Sequence, residues 1–541
     1  MFRKLIEAIK SALANTPGTS RTLKDAFGSD VDYTISIDMQ NAIDDWTRMY
    51  QDQADWLDDL QGIYSLGLPK EICQNLQIQV LSEMDVTLIE PKETKSKVAQ
   101  EDLDSNTKEP KNRASLLRRA FNKGLMPNLP NALEKGMATG GLIIRPYVND
   151  NKLYFDFNVQ GEFIPLSFND DGDITDIAFI DQFTDCGKRY TKIERQTWDG
   201  TSVTVINKGY MTKTDGTDNR FDDIGEEVPL SQIERWSDLA PYVTIKNCKR
   251  PLYGYYKTTT ANNIDMDSPL GISIFEPARA IIKRADMQFS RLDWEFEGGQ
   301  LAIDVDPSAL HYTNSYWGQY TTMDTTAQRL YRDLDLGEDN TYNAFAPVLR
   351  STQYIEGLNK YLERIEDLCG IARGTISEIT GEAKTATELR IMKQRSYITI
   401  SSNQNALQRA LNDVVLAMNR YADIYSLTKP GEYSFSIEWK DNVLTDTDVE
   451  LQQKLLLVQE GVLSKTELRA WYTGEDELTA EARCKEIETE ALDRVAYMGN
   501  LDNNNGNVYQ QQIENRDKAN SFAVGTANKT SSLPKDNNKQ D

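Results

Sequence analysis

Residues 385–431 read TATELRIMKQRSYITISSNQNALQRALNDVVLAMNRYADIYSLTKPG, a stretch that predicts one very long helix. It opens with the pattern of a capping box, Thr385-Ala-Thr-Glu388, whose side chains can satisfy backbone N–H groups of the first turn. No glycine or proline follows until Pro430-Gly431, which ends the run. Apolar residues recur at steps of four and three, as on one helix face. They are Leu407, Leu411, Val414, Met418, Tyr421 and Tyr425.

We therefore predict a helix from Ala386 to Leu427, about 60 Å long at ~1.5 Å per residue. Its weak point is Ser396-Tyr-Ile-Thr-Ile-Ser-Ser-Asn403, because these residues have modest helix propensity. We expect a kink there.

Two shorter helices are predicted ahead of this one. The first has Pro277 in its first turn and ends at Gly298-Gly299, and the second follows Arg350-Ser-Thr352 and ends at Gly370. They bracket residues 299–350, which hold the strand-like Leu301-Ala-Ile-Asp-Val305 and many aromatic and acidic residues. The pattern indicates a small module held on a two-helix stalk.

The amino-terminal part is predicted to be helical over residues 37–90, with a second helix at Leu68–Leu81 within it. One apolar stripe is formed by Met39, Ile43, Trp46 and Tyr50 and continued by Ala54, Leu57 and Leu60. Residues 91–113 are polar and charged and predict an exposed loop or mobile insert. Residues 114–138 return to a helical pattern, which ends at Gly140-Gly141.

From Leu142 the apolar period changes to two, which predicts strands. Strands are expected at residues 142–147, 153–159, 195–198, 202–207 and 241–246, with the β-rich part ending near Tyr256. Phe168-Asn-Asp-Asp-Gly-Asp-Ile174 resembles part of a calcium loop but lacks the acidic spacing and terminal glutamate of an EF-hand. A hairpin turn is the favoured reading. The fold class is therefore α+β.

The carboxyl-terminal part begins with a strand at Tyr433–Trp439, followed by three short helices. The first ends at Gly461, the second has a capping box at Ser464–Glu467 and the third runs from Thr479 to about Tyr497. From Asn500 the chain is rich in polar residues with little to bury, which predicts disorder.

The chain has 541 residues and a formal net charge of −24. Such a surface repels nucleic acid, which argues against tight binding to DNA phosphates but not against DNA passing by without sticking. The alternative is that the acidic balance keeps the protein soluble.

Five dispersed cysteines predict neither disulfides nor zinc, and they suit a reducing cytoplasm. No apolar run is long enough for a membrane span, and the first ten residues do not have the pattern of a signal peptide.

Signs of catalysis are sparse. His311 is the only histidine, and GxxxxGK[ST] is not present. Asp265 with Asp267, or Asp304 with Asp306, could hold a metal, but solvated acidic faces explain both pairs better in so acidic a chain. We expect no enzymatic activity, no catalytic residues, no metal and no cofactor.

The order and spacing of several stretches over residues 35–495 resemble a tailed-bacteriophage portal protein. The closer likeness is to portals of long-tailed phages of Gram-positive hosts. The stretches are Asn262-Asn263 with Asp267-Ser-Pro-Leu-Gly-Ile-Ser273, Ala346-Pro-Val-Leu-Arg350 with Tyr354, Lys384-Thr-Ala-Thr-Glu388, Gly140-Gly141-Leu-Ile-Ile-Arg-Pro-Tyr147 and Gln459-Glu-Gly-Val-Leu-Ser464.

The resemblance implies a mainly helical, portal-like anatomy: a β-rich wing, a two-helix stem that carries a small α/β clip, one long kinked helix and a helical crown. The implied map is 1–270 and 371–430 for the wing, 271–298 and 351–370 for the stem, 299–350 for the clip, 376–385 for the tunnel loop, 431–495 for the crown and 496–541 for a disordered tail.

Three candidate sites follow from that map. The tunnel loop would face DNA through Glu378, Thr380, Gly381, Glu382 and Lys384, although an ordinary interhelix loop is the alternative. Stem residues Arg279, Lys283, Arg284 and Arg291 would contact DNA phosphates or form intersubunit salt bridges with Asp286, Asp293 and Glu295. The clip would dock partners through Tyr312, Tyr316, Trp317, Tyr320, Asp333 and Asp335, with core packing inside the clip as the alternative.

The resemblance also implies the partners and the location. It implies a homo-oligomeric ring, usually of about twelve subunits, at one vertex of the virion capsid, assembled in the host bacterial cytoplasm. The partners would be double-stranded DNA passing without sequence specificity, the terminase large subunit, the head-completion adaptor, and the major capsid and scaffolding proteins, with no membrane. A minor head protein that forms no channel is the main alternative, and a metal-dependent nuclease is a weaker one.

Overall fold

The computed structural model describes residues 35–58, 60, 62–82, 84–91, 110, 112–213, 226–299, 302–305, 312–315, 318–321, 331–333, 342–345, 348–378, 386–439, 447–475 and 479–490. For residues 302–345, 386–393 and 447–450 it describes the backbone alone. The chain divides into two compact units, Met1–Leu444 and Thr445–Asp541. Helices and sheets are both present, so the predicted α+β class is confirmed.

The first unit begins with helices and one strand. These elements are α1 (Ile37–Tyr50), α2 (Leu68–Leu81), β1 (Met84–Ile89), α3 (Arg113–Ala120) and α4 (Leu129–Thr139), with a π-helical turn at Phe121–Leu125. The α2 prediction is confirmed to the residue. α4 ends at Gly140, whose left-handed φ of +97° closes the helix as its sequence position indicated.

Two parts of the helical prediction over residues 37–90 are wrong. α1 ends at Tyr50, and the side chain of Leu60, ten residues beyond that end, is 99% exposed. Residues 84–89 form a strand, because Val86, Thr87 and Ile89 suit extended backbone and pair with a strand some 350 residues later in the chain. Periodicity at short range does not reveal such a distant partner.

The β-rich part forms two antiparallel sheets. One has the order β10-β2-β3, from β2 (Gly141–Asn149), β3 (Lys152–Val159) and β10 (Gly254–Lys257). The other has the order β4-β5-β6-β7-β8, with β9 also paired to β7. Its strands are β4 (Phe163–Phe168), β5 (Ile174–Asp185), β6 (Lys188–Trp198), β7 (Ser202–Lys213), β8 (Glu226–Val228) and β9 (Tyr242–Lys246). All five predicted strand positions are confirmed.

The acidic turn at residues 169–173 is a hairpin turn between β4 and β5, as favoured. The Asn169 carboxamide oxygen accepts from the Asp173 backbone N–H at 2.7 Å, and Asp173 pairs with Arg250 at 2.7 Å. The carboxylate of Asp173, one of those in the stretch that resembles a calcium loop, therefore forms an ion pair with Arg250.

Arg145 on β2 links the two sheets. Its two terminal nitrogens donate to Asp156 on β3 and to Glu194 on β6, each at 2.8 Å, and its guanidinium lies 4.2 Å from the Phe179 ring centroid. Burial raises the pKa of the Glu194 carboxyl, but the charges of Arg145 and Lys192 outweigh burial and bring that pKa down to about 2.

The long helix is α7 (Ala386–Ile424), and it is unbroken over 39 residues. Leu407, Leu411, Val414 and Met418 are completely buried, each worth about 1.5–3 kcal/mol by burial. They pack into the core that α1–α4 and the sheet β10-β2-β3 share. The stripe ends earlier than predicted, because Tyr425 lies beyond α7 and is half exposed. The kink at residues 396–403 stays a prediction, and the capping box at Thr385 lies outside the described residues.

Within residues 279–369 the described part of the chain forms two helices and five short strands. α5 (Arg279–Gly298) and α6 (Ser351–Cys369) pack against each other and have the predicted ends. Between them lie β11 (Ala302–Val305), β12 (Tyr312–Ser315), β13 (Gly318–Thr321), β14 (Tyr331–Asp333) and β15 (Tyr342–Phe345). β11 pairs with β14 in parallel and with β15 antiparallel, while β12 and β13 form a hairpin.

The remaining elements follow α7. β16 (Ser434–Trp439) is the predicted strand and pairs antiparallel with β1. In the second unit, α8 (Thr447–Gln459) and α9 (Lys465–Thr473) are followed by α10 at residues 479–490. The predicted capping box of α9 is confirmed, since Ser464 Oγ accepts from the Glu467 N–H at 3.0 Å and the Glu467 carboxylate accepts from the Ser464 N–H at 2.8 Å. The predicted disordered tail lies outside the described residues.

Candidate functional site

The base of α5 is where two of the stretches singled out in the sequence meet. Gly140 and Gly271 cross so closely that a Cβ on Gly271 would lie 2.1 Å from the Gly140 carbonyl oxygen. The Ile274 N–H donates to the Met137 carbonyl at 3.1 Å, and the Thr258 N–H donates to the Gly140 carbonyl at 3.2 Å. These contacts fix the end of α4 against residues 271–274, which lead into α5.

Asp286 fastens the middle of α5 to the loop after α1. Its carboxylate accepts from Trp56 Nε1 and from the Leu66 backbone N–H, each at 2.9 Å. Burial raises the pKa of Asp286, while these two donors lower it. The neighbouring Ser290 Oγ accepts from the Tyr64 N–H at 3.0 Å. Sequence reasoning considered Asp286 only as an intersubunit partner, whereas it is buried within this chain.

The four predicted cationic residues of α5 have different surroundings. Arg279 pairs with Asp45 on α1 at 2.5 Å, and Lys283 Nζ lies 5.8 Å from the Trp56 ring centroid. Arg284 and Arg291 are exposed, and among the described residues neither has an ion-pair partner. Arg279 is therefore used within the chain, while Arg284 and Arg291 are open to a second molecule.

Glu295 and Arg350 join α5 to α6 at the end nearest the short strands. The Glu295 carboxylate accepts from the Arg350 backbone N–H and Nε, both at 3.1 Å, and from Nη2 at 2.7 Å. These contacts lower the pKa of Glu295. A two-pronged arginine–carboxylate pair restricts the angle between its helices more than a single contact does.

The predicted clip residues are only partly described. Tyr312 lies in β12, Tyr320 in β13 and Asp333 in β14, where backbone pairing places Tyr312 opposite Thr321 and Asp333 opposite Val305. Tyr316, Trp317, Asp335 and His311 lie outside the described residues. Whether the aromatic residues face a partner or the clip interior stays a prediction.

Glu366 on α6 holds the segment that leads into the predicted tunnel loop. Its carboxylate is fully buried and accepts four hydrogen bonds. The donors are the backbone N–H groups of Gly374 (3.2 Å), Ile376 (2.7 Å) and Ser377 (2.9 Å) and the Ser377 hydroxyl (2.7 Å). Residues 374–377 are therefore wrapped around one side chain of α6.

Asn359, two turns earlier on α6, extends this anchor to Glu378. Its side-chain amide donates to the Glu378 carbonyl at 3.1 Å, and its oxygen accepts from the Glu378 N–H at 2.8 Å. Thr380, Gly381, Glu382 and Lys384 lie outside the described residues. Sequence reasoning missed Asn359 and Glu366, although two polar residues seven positions apart on the inner face of a helix were a usable signal.

The described residues hold no group of three or more histidine, cysteine, aspartate or glutamate side chains placed to bind a metal. All five cysteines are free thiols. Among the described helices, none is both long enough and apolar enough to cross a membrane. Asp265, considered as a metal ligand, accepts from the Ser36 N–H at 3.4 Å.

The family model described as phage portal protein, SPP1 Gp6-like, matches residues 125–494, about two-thirds of the chain. The chain belongs to this portal family. A comparison with curated proteins gave no match. The matched range of this portal protein contains α5 and α6, the short strands between them and the contacts of Glu366. Portal proteins are structural components at the capsid vertex, where an oligomeric ring works with capsid proteins and DNA.

Proposed function

We propose that this portal protein forms a ring of about twelve copies through which double-stranded DNA is packaged, retained and later ejected. The family match over residues 125–494 is the observation that carries this proposal. The wing would be residues 1–270 and 371–430, the stem 271–298 and 351–370, and the crown 431–495. Long-tailed phages of Gram-positive hosts are the proposed source, with assembly in the bacterial cytoplasm and with major capsid and scaffolding proteins as partners.

The clip is proposed to be residues 299–350, the docking site for the terminase large subunit and then for the head-completion adaptor. Support comes from its position between the ends of α5 and α6, where the Glu295–Arg350 pair joins the two helices. A module held by two packed helices moves with them, so a partner bound there acts on the stem. Tyr312, Tyr316, Trp317, Tyr320, Asp333 and Asp335 are the proposed docking residues.

The tunnel loop is proposed to be residues 376–385, with Glu378, Thr380, Gly381, Glu382 and Lys384 facing DNA. Its opposite charges nearly cancel, which suits a surface that must touch the duplex without holding it, because phosphate contacts increase affinity. The contacts of Glu366 and Asn359 support the assignment, since they fasten residues 374–378 to α6 directly before the rest of the proposed loop.

The test is negative-stain electron microscopy of the purified full-length protein, with light-scattering mass on the same sample. We expect a closed ring with a central hole and a mass of about twelve chains. If only monomers form, the experiment is repeated with scaffolding and capsid proteins. A chain that forms no ring in either sample overturns the channel proposal and favours a minor head protein.

A further inference from the structure

A cavity of about 370 Å³ lies between α7 and the part of the chain that follows β10. Ser402, Ala406 and Arg409 line it from one side of α7, since they are four and three positions apart. The other lining residues include 257–262 and 268–271. All of them belong to the first unit of a single chain. Small-molecule sites have volumes of about 300–1,000 Å³, so this cavity can hold a small ligand.

Close backbone contacts fix the shape of this cavity. Gly254 in β10 lies so near to α7 that a Cβ on it would be 2.0 Å from the Ala410 carbonyl oxygen. Thr258, directly after β10, is held instead by Gly140, whose carbonyl oxygen accepts from the Thr258 N–H and hydroxyl, both at 3.2 Å. The chain after β10 is therefore tied to the end of α4, and the short side chain of Ala406 leaves the space beside α7 open.

Most hydrogen-bond acceptors around the cavity already have donors. The carboxylates of Asp173 and Asp413 both pair with Arg250, at 2.7 and 3.0 Å. The carbonyl groups of residues 269–271 also have donors, which are the side chains of Lys257, Asn262 and Gln160. A ligand that needs acceptors from the protein therefore finds few of them here.

Several donors of the lining have no acceptor in the described part of the chain. Arg409 is exposed, and no described residue forms an ion pair with it. The Lys257 ammonium has three N–H groups, and its one hydrogen bond within the described residues is to a neutral carbonyl at 3.2 Å. The backbone N–H groups of residues 259–261 likewise have no acceptor among the described residues. The unused groups of the cavity are thus mainly donors, and two of them are positively charged.

We propose that this cavity binds a small oxyanion, a phosphate or a carboxylate group, through Arg409 and Lys257. Hydrogen bonds from charged donors to an anion are about twice as strong as neutral ones, and a neutral ligand would not use these two charges. Asp171 also lines the cavity with an exposed carboxylate, and it limits the affinity by repulsion. The site lies within one chain and does not depend on the proposed ring.

The test is isothermal titration calorimetry of the full-length protein with inorganic phosphate and, separately, with citrate, at constant low ionic strength. We expect at least one of them to bind with a Kd at or below about 1 mM. Arg409→Gln should weaken that binding about tenfold, because it removes a charged hydrogen-bond donor. Asp171→Asn should strengthen it about twofold or more, because it removes a like charge that little salt screens.

The matched control is Arg395→Gln, which removes an exposed arginine of the same helix that does not line the cavity. Its Kd should equal that of wild type. This order of affinities supports the inference, and the anion that binds more tightly identifies the preferred head group.

Two results would overturn the inference. The first is no binding of either anion up to about 10 mM, which is the result expected if an acidic side chain of the protein already fills the cavity. The second is equal weakening by Arg409→Gln and Arg395→Gln, because the anion would then respond to overall charge and not to the cavity. Neither result bears on the channel proposal, which electron microscopy tests separately.

Discussion

At the scale of single residues, two buried polar side chains fix residues 374–378, which lead into the proposed tunnel loop. Glu366 accepts four hydrogen bonds from residues 374–377, and Asn359 makes two with the backbone of Glu378. A buried carboxylate is costly unless donors surround it, so this arrangement works only with the turn folded back on α6. The buried Glu366 carboxylate therefore depends on the turn at residues 374–377 for its donors, and the turn depends on Glu366 for its acceptor.

Glu366→Gln should lower the free energy of unfolding by about 2 to 3 kcal/mol, because glutamine has one acceptor oxygen and turns an N–H group toward N–H donors. Urea unfolding checks this. Glu356→Gln on the exposed face of the same helix is the matched control and should stay close to wild type. Equal midpoints for both variants would contradict the anchoring role.

Glu194→Gln should change how stability depends on pH. The pKa of Glu194 is lowered to about 2, so its contribution is fully present above the unfolded value near 4.5 and is lost as pH falls toward 2. The difference in unfolding free energy between wild type and variant should therefore be largest above pH 5, at about 2 to 3 kcal/mol, and should shrink as pH decreases. Urea midpoints measured at several pH values test this, and a difference that grows on acidification would refute it.

At the scale of elements, the proposed stem consists of α5 and α6, and hydrogen bonds fasten these helices at three places. Asp286 holds α5 to the loop after α1, Glu295 and Arg350 join the two helices at the end nearest the proposed clip, and Glu366 holds residues 374–377, which lead into the proposed tunnel loop. Packed helices transmit displacement because interiors are close-packed. A displacement at the proposed clip can therefore be transmitted along α6 to residue 378.

Deleting residues 379–383 should leave ring assembly intact and impair DNA packaging or retention, because the anchors end at Glu378 and lie before the deletion. Packaging assays and the length of retained DNA measure the effect. Replacing the same five residues with glycine and serine is the control that keeps loop length. Normal packaging of full-length DNA by the deletion variant would show that this loop does not face the DNA.

At the scale of the whole molecule, the negative charge and the ring proposal fit together. A chain of net charge −24 repels DNA and so disfavours tight binding of the duplex. Weak binding suits a channel through which DNA must move. Within that acidic background, Arg284 and Arg291 are exposed on α5. Among the described residues neither has an ion-pair partner, and we propose that both act in the assembled ring.

Replacing Arg284 and Arg291 together with alanine should change the free energy of unfolding of the chain by less than about 0.5 kcal/mol. It should instead reduce DNA retention if the pair meets phosphates, or lower the salt concentration at which rings dissociate if it meets a neighbouring subunit. Arg279→Ala is the contrast, because it loses the ion pair with Asp45 and should cost about 0.5 to 1 kcal/mol. A double variant with unchanged retention and unchanged ring stability would remove these residues from the candidate site.

The sequence by itself determined the local elements: α2 to the residue, the ends of α5 and α6, and the capping box of α9. These depend on side chains three or four positions apart, a spacing that can be read directly. The tertiary structure alone decided that residues 84–89 pair with β16, that Leu60 is exposed and that Glu366 wraps residues 374–377. Those outcomes depend on which surfaces meet after folding, because burial and hydrogen bonding between distant segments override local pattern.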